Sequence, residues 1–141
     1  MSNFEKNLEQ ALINAKRLTN KILINGKLIS AQTNNKIPVL NPSTGENIGS
    51  APQCDKNDVN IAVESAHKAF QKWKKIPARE RGKMVAAGAR RLEERKSEIE
   101  TLLSLDTGNA LRTQAIPETG ASIELTNMFA GLSGELKGEN Y

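Results

Sequence analysis

At 141 residues the chain is long enough for one domain or a large part of one, and 38% hydrophobic against 26% charged residues is the balance of a soluble globular protein. A single cysteine, Cys54, excludes an internal disulfide and, with a single histidine, His67, leaves too few ligands for a structural zinc site. The net charge of +4 is uneven: Lys68 to Lys96 holds 11 Lys or Arg and 3 Glu, a balance of +8, while the remaining 9 basic and 13 acidic residues give −4.

Residues 1–21 read as an amphipathic helix. Ser2 and Glu5 have capping-box spacing, and Phe4, Leu8, Ala11, Leu12, Ala15 and Leu18 recur on one face, which predicts a helix from about Asn3 to Leu18. Glu5 and Glu9 stand where a secretory signal needs apolar residues and a transit peptide avoids acids. No apolar run is long enough to cross a bilayer. The expectation is a cytoplasmic protein.

Short strands follow. Ile22-Leu23-Ile24 and Lys27-Leu28-Ile29 flank Asn25-Gly26, the strongest short hairpin signal. Thr33-Asn34-Asn35 is a turn, and Ile37 to Leu40 a strand placed at an edge by Pro38, which has no N–H to donate. Asn41 to Glu46 is dense in turn formers, and Asn47 to Ala51 reads as a further strand.

The rest is helical. Asp55 is the N-cap, supported by Asp58, of a helix whose stripe runs Val59, Ala62, Val63, Ala66, Ala69, Phe70, Trp73. Pro77 suits the first turn of the next, which carries Met84, Val85, Gly88 or Ala89, and Leu92 up to Arg95. Ser97 with Glu100 repeats the capping-box spacing and predicts a new helix start, ending near Gly108 in a left-handed cap. Ala121, Leu125, Met128, Phe129 and Leu132 mark a last helix, with Pro117 limiting its backward extent. The order alone states mixed α and β.

Taken together, these segments resemble a known family. Ile24-Asn25-Gly26-Lys27, the Leu40 to Glu46 turn (NPSTGE), the Asp55 to Trp73 helix, Pro77-Ala78-Arg79-Glu80-Arg81, Leu92 to Arg95, Leu105-Asp106-Thr107-Gly108, and Phe129-Ala130-Gly131 with Gly138-Glu139 stand in the order found in NAD(P)-dependent aldehyde dehydrogenases. The resemblance covers residues 22–141 and departs from the family pattern at Asn109-Ala110, Pro117 and Gly120.

The resemblance implies an α/β fold, with this chain the N-terminal part of a cofactor-binding domain. In such proteins a cysteine thiolate attacks the aldehyde, hydride passes to NAD or NADP, and a carboxylate activates water to release the acid. It also implies that no catalytic or cofactor-binding residue lies in these 141 positions, since the family carries them further along the chain, and the ending at Asn140-Tyr141 reads as a protein that continues. Leu40, through its carbonyl, and Asp106 correspond to positions that hold a monovalent cation in some members. The alternative for Asp106 is service to the turn before Gly108.

Other residues weigh against catalysis. Cys54 precedes a helix N-terminus, a setting that favours a thiolate, but Asp55 beside it opposes this. His67 has no Ser or Cys partner in view and reads as a helix-flank residue. The basic block reads as a solvated helix face rather than a nucleic-acid site, because no RNA-binding motif accompanies it. Partners implied are an aldehyde, further copies or a C-terminal portion, and no membrane. The alternatives are a non-catalytic module binding full-length relatives and a basic nucleic-acid-binding protein. Large apolar patches exposed on the isolated chain, and association through them, are expected.

Overall fold

The computed structural model describes residues 3–135. Helix α1 spans Asn3–Leu18, as its periodicity predicts, with Ala11 and Asn14 buried. Ser2 of the predicted capping pair lies outside the described residues, as does Gly138-Glu139. Asn20, at φ 58°, turns the chain out of the helix, and its N–H donates to the Ser50 carbonyl at 2.9 Å.

Strands β1 (Lys21–Ile24) and β2 (Lys27–Ser30) pair antiparallel. Asn25 (φ 52°) and Gly26 (φ 71°) are both left-handed, the signature of the tight turn that their sequence announces. Strands β3 (Lys36–Leu40) and β4 (Asn47–Pro52) form a second two-stranded ribbon with an irregularity at Val39/Leu40. Pro38 faces Ser50. In a two-stranded ribbon every strand has an open edge, so the missing N–H costs nothing there. The turn between them is closed by Asn41, whose Oδ1 accepts from the Ser43 N–H at 2.9 Å and whose carbonyl accepts from that of Gly45 at 2.7 Å.

Helix α2 spans Lys56–Trp73. Asp55 Oδ1 accepts from the N–H groups of Asn57 (2.7 Å) and Asp58 (2.9 Å). Asp58 does more than favour the helix end. It is 4% exposed, and its carboxylate accepts from the Asp55 N–H and, at 3.0 Å, from that of Gln32, tying α2 to the segment after β2.

Helix α3 spans Ala78–Glu94 and α4 spans Lys96–Thr107. Pro77 stands just before α3 rather than in its first turn, and its carbonyl accepts from Glu80 and Arg81. The predicted Ser97–Glu100 capping box does not form. Arg95 is both the end of α3 and the start of α4, without a side-chain cap, and Ser97 sits inside α4 with its carbonyl accepting from the Thr101 hydroxyl. The Arg95–Glu98 pair joins the two helices instead, its guanidinium donating from Nε at 2.8 Å and from Nη2 at 2.5 Å. Gly108 ends α4 left-handed at φ 74°, as predicted.

Helix α5 spans Ile116–Leu132. Pro117 and Gly120 do not interrupt it. Pro117 occupies its first turn, where no N–H is needed, and a π-helical turn, Leu111–Ala115, leads straight in. The stripe that marks α5 is exposed, in line with the expected apolar patches, and a different face packs within the chain. Thr119, Ile123 and Ala130 are buried, while Leu125, Met128, Phe129 and Leu132 point outward. Helices α3 and α5 lie against each other, and Gly82 permits their contact: a Cβ there would clash with the Ser133 hydroxyl and come within 2.5 Å of the Ala130 carbonyl oxygen.

The buried hydrophobic residues are Ala11, Ile24, Ile48, Ala89, Ala115, Ile123 and Ala130. Most are alanines, and no large side chain among the described residues is completely enclosed.

Candidate functional site

A groove of about 470 Å³ runs between α1, the β3–β4 ribbon and α4. Leu18, Val39, Ile48, Ile99 and Leu103 give it apolar walls, and Lys21 and Asp106 are its charged members. Its sides are held by a polar clasp. Asn14 of α1 donates to Glu98 of α4 at 2.8 Å, and Glu98 also receives Arg95. The hydrogen bond from Arg95 holds the Glu98 carboxyl below the usual carboxylate range, against the opposing effect of its burial. Gly49 of β4 packs at the end of α1, where a Cβ would stand 3.3 Å from the hydroxyl of Thr19, just past the helix, and 3.7 Å from the Ala15 carbonyl oxygen.

The two residues expected at a cation site lie on segments that approach each other after them. Leu40 ends β3, Asp106 lies in the last turn of α4, and Asp106 lines the same groove as Val39, the neighbour of Leu40. Gly108, two residues past Asp106, approaches Pro42, two residues past Leu40, so closely that a Cβ would meet the proline ring at 2.8 Å. The turn before Gly108 is not Asp106's work. Thr107 supplies it, its hydroxyl donating to the Leu103 carbonyl at 2.7 Å and accepting from the Asn109 N–H at 3.2 Å. Asp106 is exposed and has no hydrogen bond or ion pair among the described residues. A carbonyl and one carboxylate are hard oxygen donors whose charge matches a single monovalent cation. Among the described residues no cluster of three or more His, Cys, Asp or Glu could hold a metal ion.

The remaining candidates stay apart. Cys54 is an exposed free thiol. The α2 terminus beside it is engaged by the Asp55 carboxylate, which leaves those N–H donors unavailable to an anion. His67 is exposed on α2 with its Nε2 3.2 Å from the Gln71 amide nitrogen. Four bases of the Lys68–Lys96 block are paired with acids on the same or the adjoining helix: Lys83–Glu80, Arg91–Glu94, Arg95–Glu98 and Lys96–Glu93. Sequence reasoning did not find Asn14, Glu98 or Gly82, and saw Asp58 only as support for the start of α2 and not its bond to Gln32. The signal for Gly82 was the spacing of small residues at 82, 86 and 89 on α3, opposite Ala130-Gly131.

The outward faces are the other prominent feature. Along α2, Val59, Val63, Phe70 and Trp73 are exposed, Val63 to 61%. Along α5, Leu125, Met128, Phe129 and Leu132 are exposed, Phe129 to 63%. A helix apolar on both sides is built to be covered on both.

The order of one helix, two antiparallel ribbons and a packed helical set defines the class: the start of an aldehyde dehydrogenase-like α/β fold. The chain superposes on HpcC from Thermus thermophilus with a TM-score of 0.90 at 23% identity, over 97% of its own length and 27% of that chain, a likeness of fold. It superposes on betaine aldehyde dehydrogenase from Staphylococcus aureus, solved in complex with NAD+, with a TM-score of 0.85 at 27% identity, covering 94% and 27%. The chain belongs to the aldehyde dehydrogenase family, whose model matches residues 28–141. It is 34% identical to phenylacetaldehyde dehydrogenase from Pseudomonas fluorescens over 89% of its length and 26% of that protein's. It thus spans about a quarter of the length of the curated relatives it matches. Among the described residues no helix is long and apolar enough to cross a membrane.

Proposed function

We propose that this chain forms the N-terminal part of the cofactor-binding domain of a cytoplasmic NAD(P)-dependent enzyme that oxidises an aldehyde to a carboxylic acid. The nucleophilic cysteine, the general base and the nucleotide-binding strands come from polypeptide outside these 141 residues. One observation carries this reading: the chain encloses mostly alanine and turns its large apolar residues outward on α2 and α5. A parallel sheet needs helices over both faces, and these two surfaces suit that use. The relatives and structural neighbours, named for several aldehydes and in several cases holding NAD+, support the reaction class.

The bound nicotinamide supplies the hydride acceptor when present. The residues of this chain position rather than react. The Asn14–Glu98–Arg95 clasp and the Asp55–Asp58 cap fix α1, α2 and α4 relative to the ribbons. Leu40 and Asp106 hold a monovalent cation that braces the end of β3 against α4. Further copies or the complementary portion cover the apolar faces.

The test is NAD(P)H formation from an aromatic or aliphatic aldehyde, measured for the chain alone and mixed with the C-terminal three-quarters of a relative. No turnover is expected alone, and turnover with the complement. Turnover by the isolated chain that survives Cys54→Ser would overturn the reading, as would a complex of the two that binds cofactor yet never oxidises an aldehyde.

A further inference from the structure

Helix α2 is rich in apolar residues but is not held by them. Val59, Val63, Phe70 and Trp73 are exposed, and the one buried residue along the whole helix is Asp58. Only Ala62, Ser65 and Gln71 join it at half-burial. The Asp58 carboxylate serves two backbone donors. Its Oδ2 accepts from the Asp55 N–H at 3.3 Å, within the cap, and its Oδ1 accepts from the Gln32 N–H at 3.0 Å, outside the helix. Other bonds hold the chain just before α2: Gln53 donates its N–H to the Asn35 carbonyl at 3.0 Å, and its own carbonyl accepts from the Thr33 hydroxyl at 2.6 Å. These fix where α2 begins. A rod fixed only at its start can point many ways, and a further contact along it sets its heading. Asp58 supplies that contact from the first turn. At the other end Arg81 of α3 donates to the Ile76 carbonyl at 2.7 Å, which holds the connection after the helix and not the helix itself. The superposition on HpcC takes in nearly the whole chain, so this heading is that of the longer fold.

We propose that Asp58 is a positioning residue: through the Gln32 N–H, its carboxylate sets the direction of α2 from within this chain, whether or not anything covers the helix. The inference rests on the reading of the exposed α2 face as a surface that the rest of the enzyme covers, and deepens it. A surface already held in its final direction binds its cover without an ordering cost at that moment. The large apolar side chains of α2 are turned outward and are not there to do the holding. A carboxylate on the inner side is suited to it, since it is acceptor-only, has room for several N–H donors and binds them more strongly than a neutral acceptor does. An asparagine of the same shape turns an NH2 group toward one of the two N–H donors and cannot serve both. The heading of α2 therefore depends on this one acceptor and not on the exposed side chains.

Amide hydrogen exchange on the full chain, read residue by residue, tests this without recourse to activity. Asp58→Asn is expected to speed exchange about tenfold at Gln32 and by a similar factor across α2. Helices α3 and α5, which pack on each other, stay within about threefold of the parent. Val63→Ser, on the exposed face, leaves both Gln32 and α2 within about threefold of the parent. An unchanged Gln32 in Asp58→Asn overturns the proposal, as does a faster Gln32 with α2 unaltered. So does a Val63→Ser that matches Asp58→Asn, or protection lost throughout the chain, because the effect is then not confined to α2. A second readout uses the C-terminal part of a relative. Asp58→Asn should need about tenfold more of that part for half-maximal NAD(P)H formation, yet reach the parent's rate at saturation. A rate that stays low at saturation overturns the positioning role. A parent chain that never complements sinks only the functional reading and leaves the exchange result standing. Unaltered exchange beside intact complementation sinks only this inference.

Discussion

The two sides of α5 follow opposite rules. On its inner side it buries Thr119, Ile123 and Ala130, and Ala130 meets Gly82 of α3. Small residues let the backbones approach, and the contact is closed. Away from α3 it presents Leu125, Met128, Phe129 and Leu132 to solvent. Burying such side chains is worth about 1.5–3 kcal/mol each, so a chain that leaves them outside forgoes its largest source of stability. The difference teaches that the inner side was shaped for a neighbour within the chain and the outer side for one beyond it.

Substitutions on the two sides should therefore differ. The largest effect belongs inside: Gly82→Val places a branched side chain against Ser133 and the Ala130 carbonyl. Overpacking of this kind costs about 1–3 kcal/mol, and the rigid backbone contact puts the expected loss at the upper end, read from urea unfolding. Little or no loss would mean that α3 and α5 are not in close contact. A smaller effect belongs to the clasp. Glu98→Gln removes a charged acceptor from Arg95 and is expected to cost about 1 kcal/mol at neutral pH, given its partial exposure to solvent. Because the folded state depresses the Glu98 carboxyl, its contribution is full above the unfolded value of about 4.3 and is lost as pH falls below that. The difference between parent and variant should therefore close on the acid side; a gap that widens with acid would reverse the sign. The smallest effect belongs outside: Phe129→Ser in the chain alone should change stability by no more than about 0.5 kcal/mol, yet sharply reduce complementation.

Much of the architecture was legible in sequence because local chemistry decided it. Asn25-Gly26 fixes its hairpin, Asp55 its helix start and Gly108 its helix end, each through backbone geometry that only a few residues satisfy. What failed was decided at a distance. Ser97 has capping spacing, but α4 begins one residue earlier, directly off α3, so no free terminus exists for it to cap. Pro117 reads as a barrier until a π-helical turn supplies the preceding backbone. The stripe on α5 is plain in the sequence and is exposed as expected; what periodicity did not show is the opposite side, packed on α3 through Gly82. For the site, the positions of Leu40 and Asp106 came from family likeness. The structure adds the freedom of the Asp106 carboxylate, because Thr107 serves the turn.

Trp73, the only tryptophan in the chain, lies among the exposed apolar residues of α2 and reports directly on whether that face awaits a cover. In the chain alone, at high dilution, its fluorescence should be readily quenched by acrylamide. On adding the C-terminal part of a relative, with that part's own tryptophans replaced, the emission should shift to the blue and quenching should fall severalfold. A Trp73 already shielded in the monomer, or one still open in a complex that oxidises aldehydes, would contradict the account.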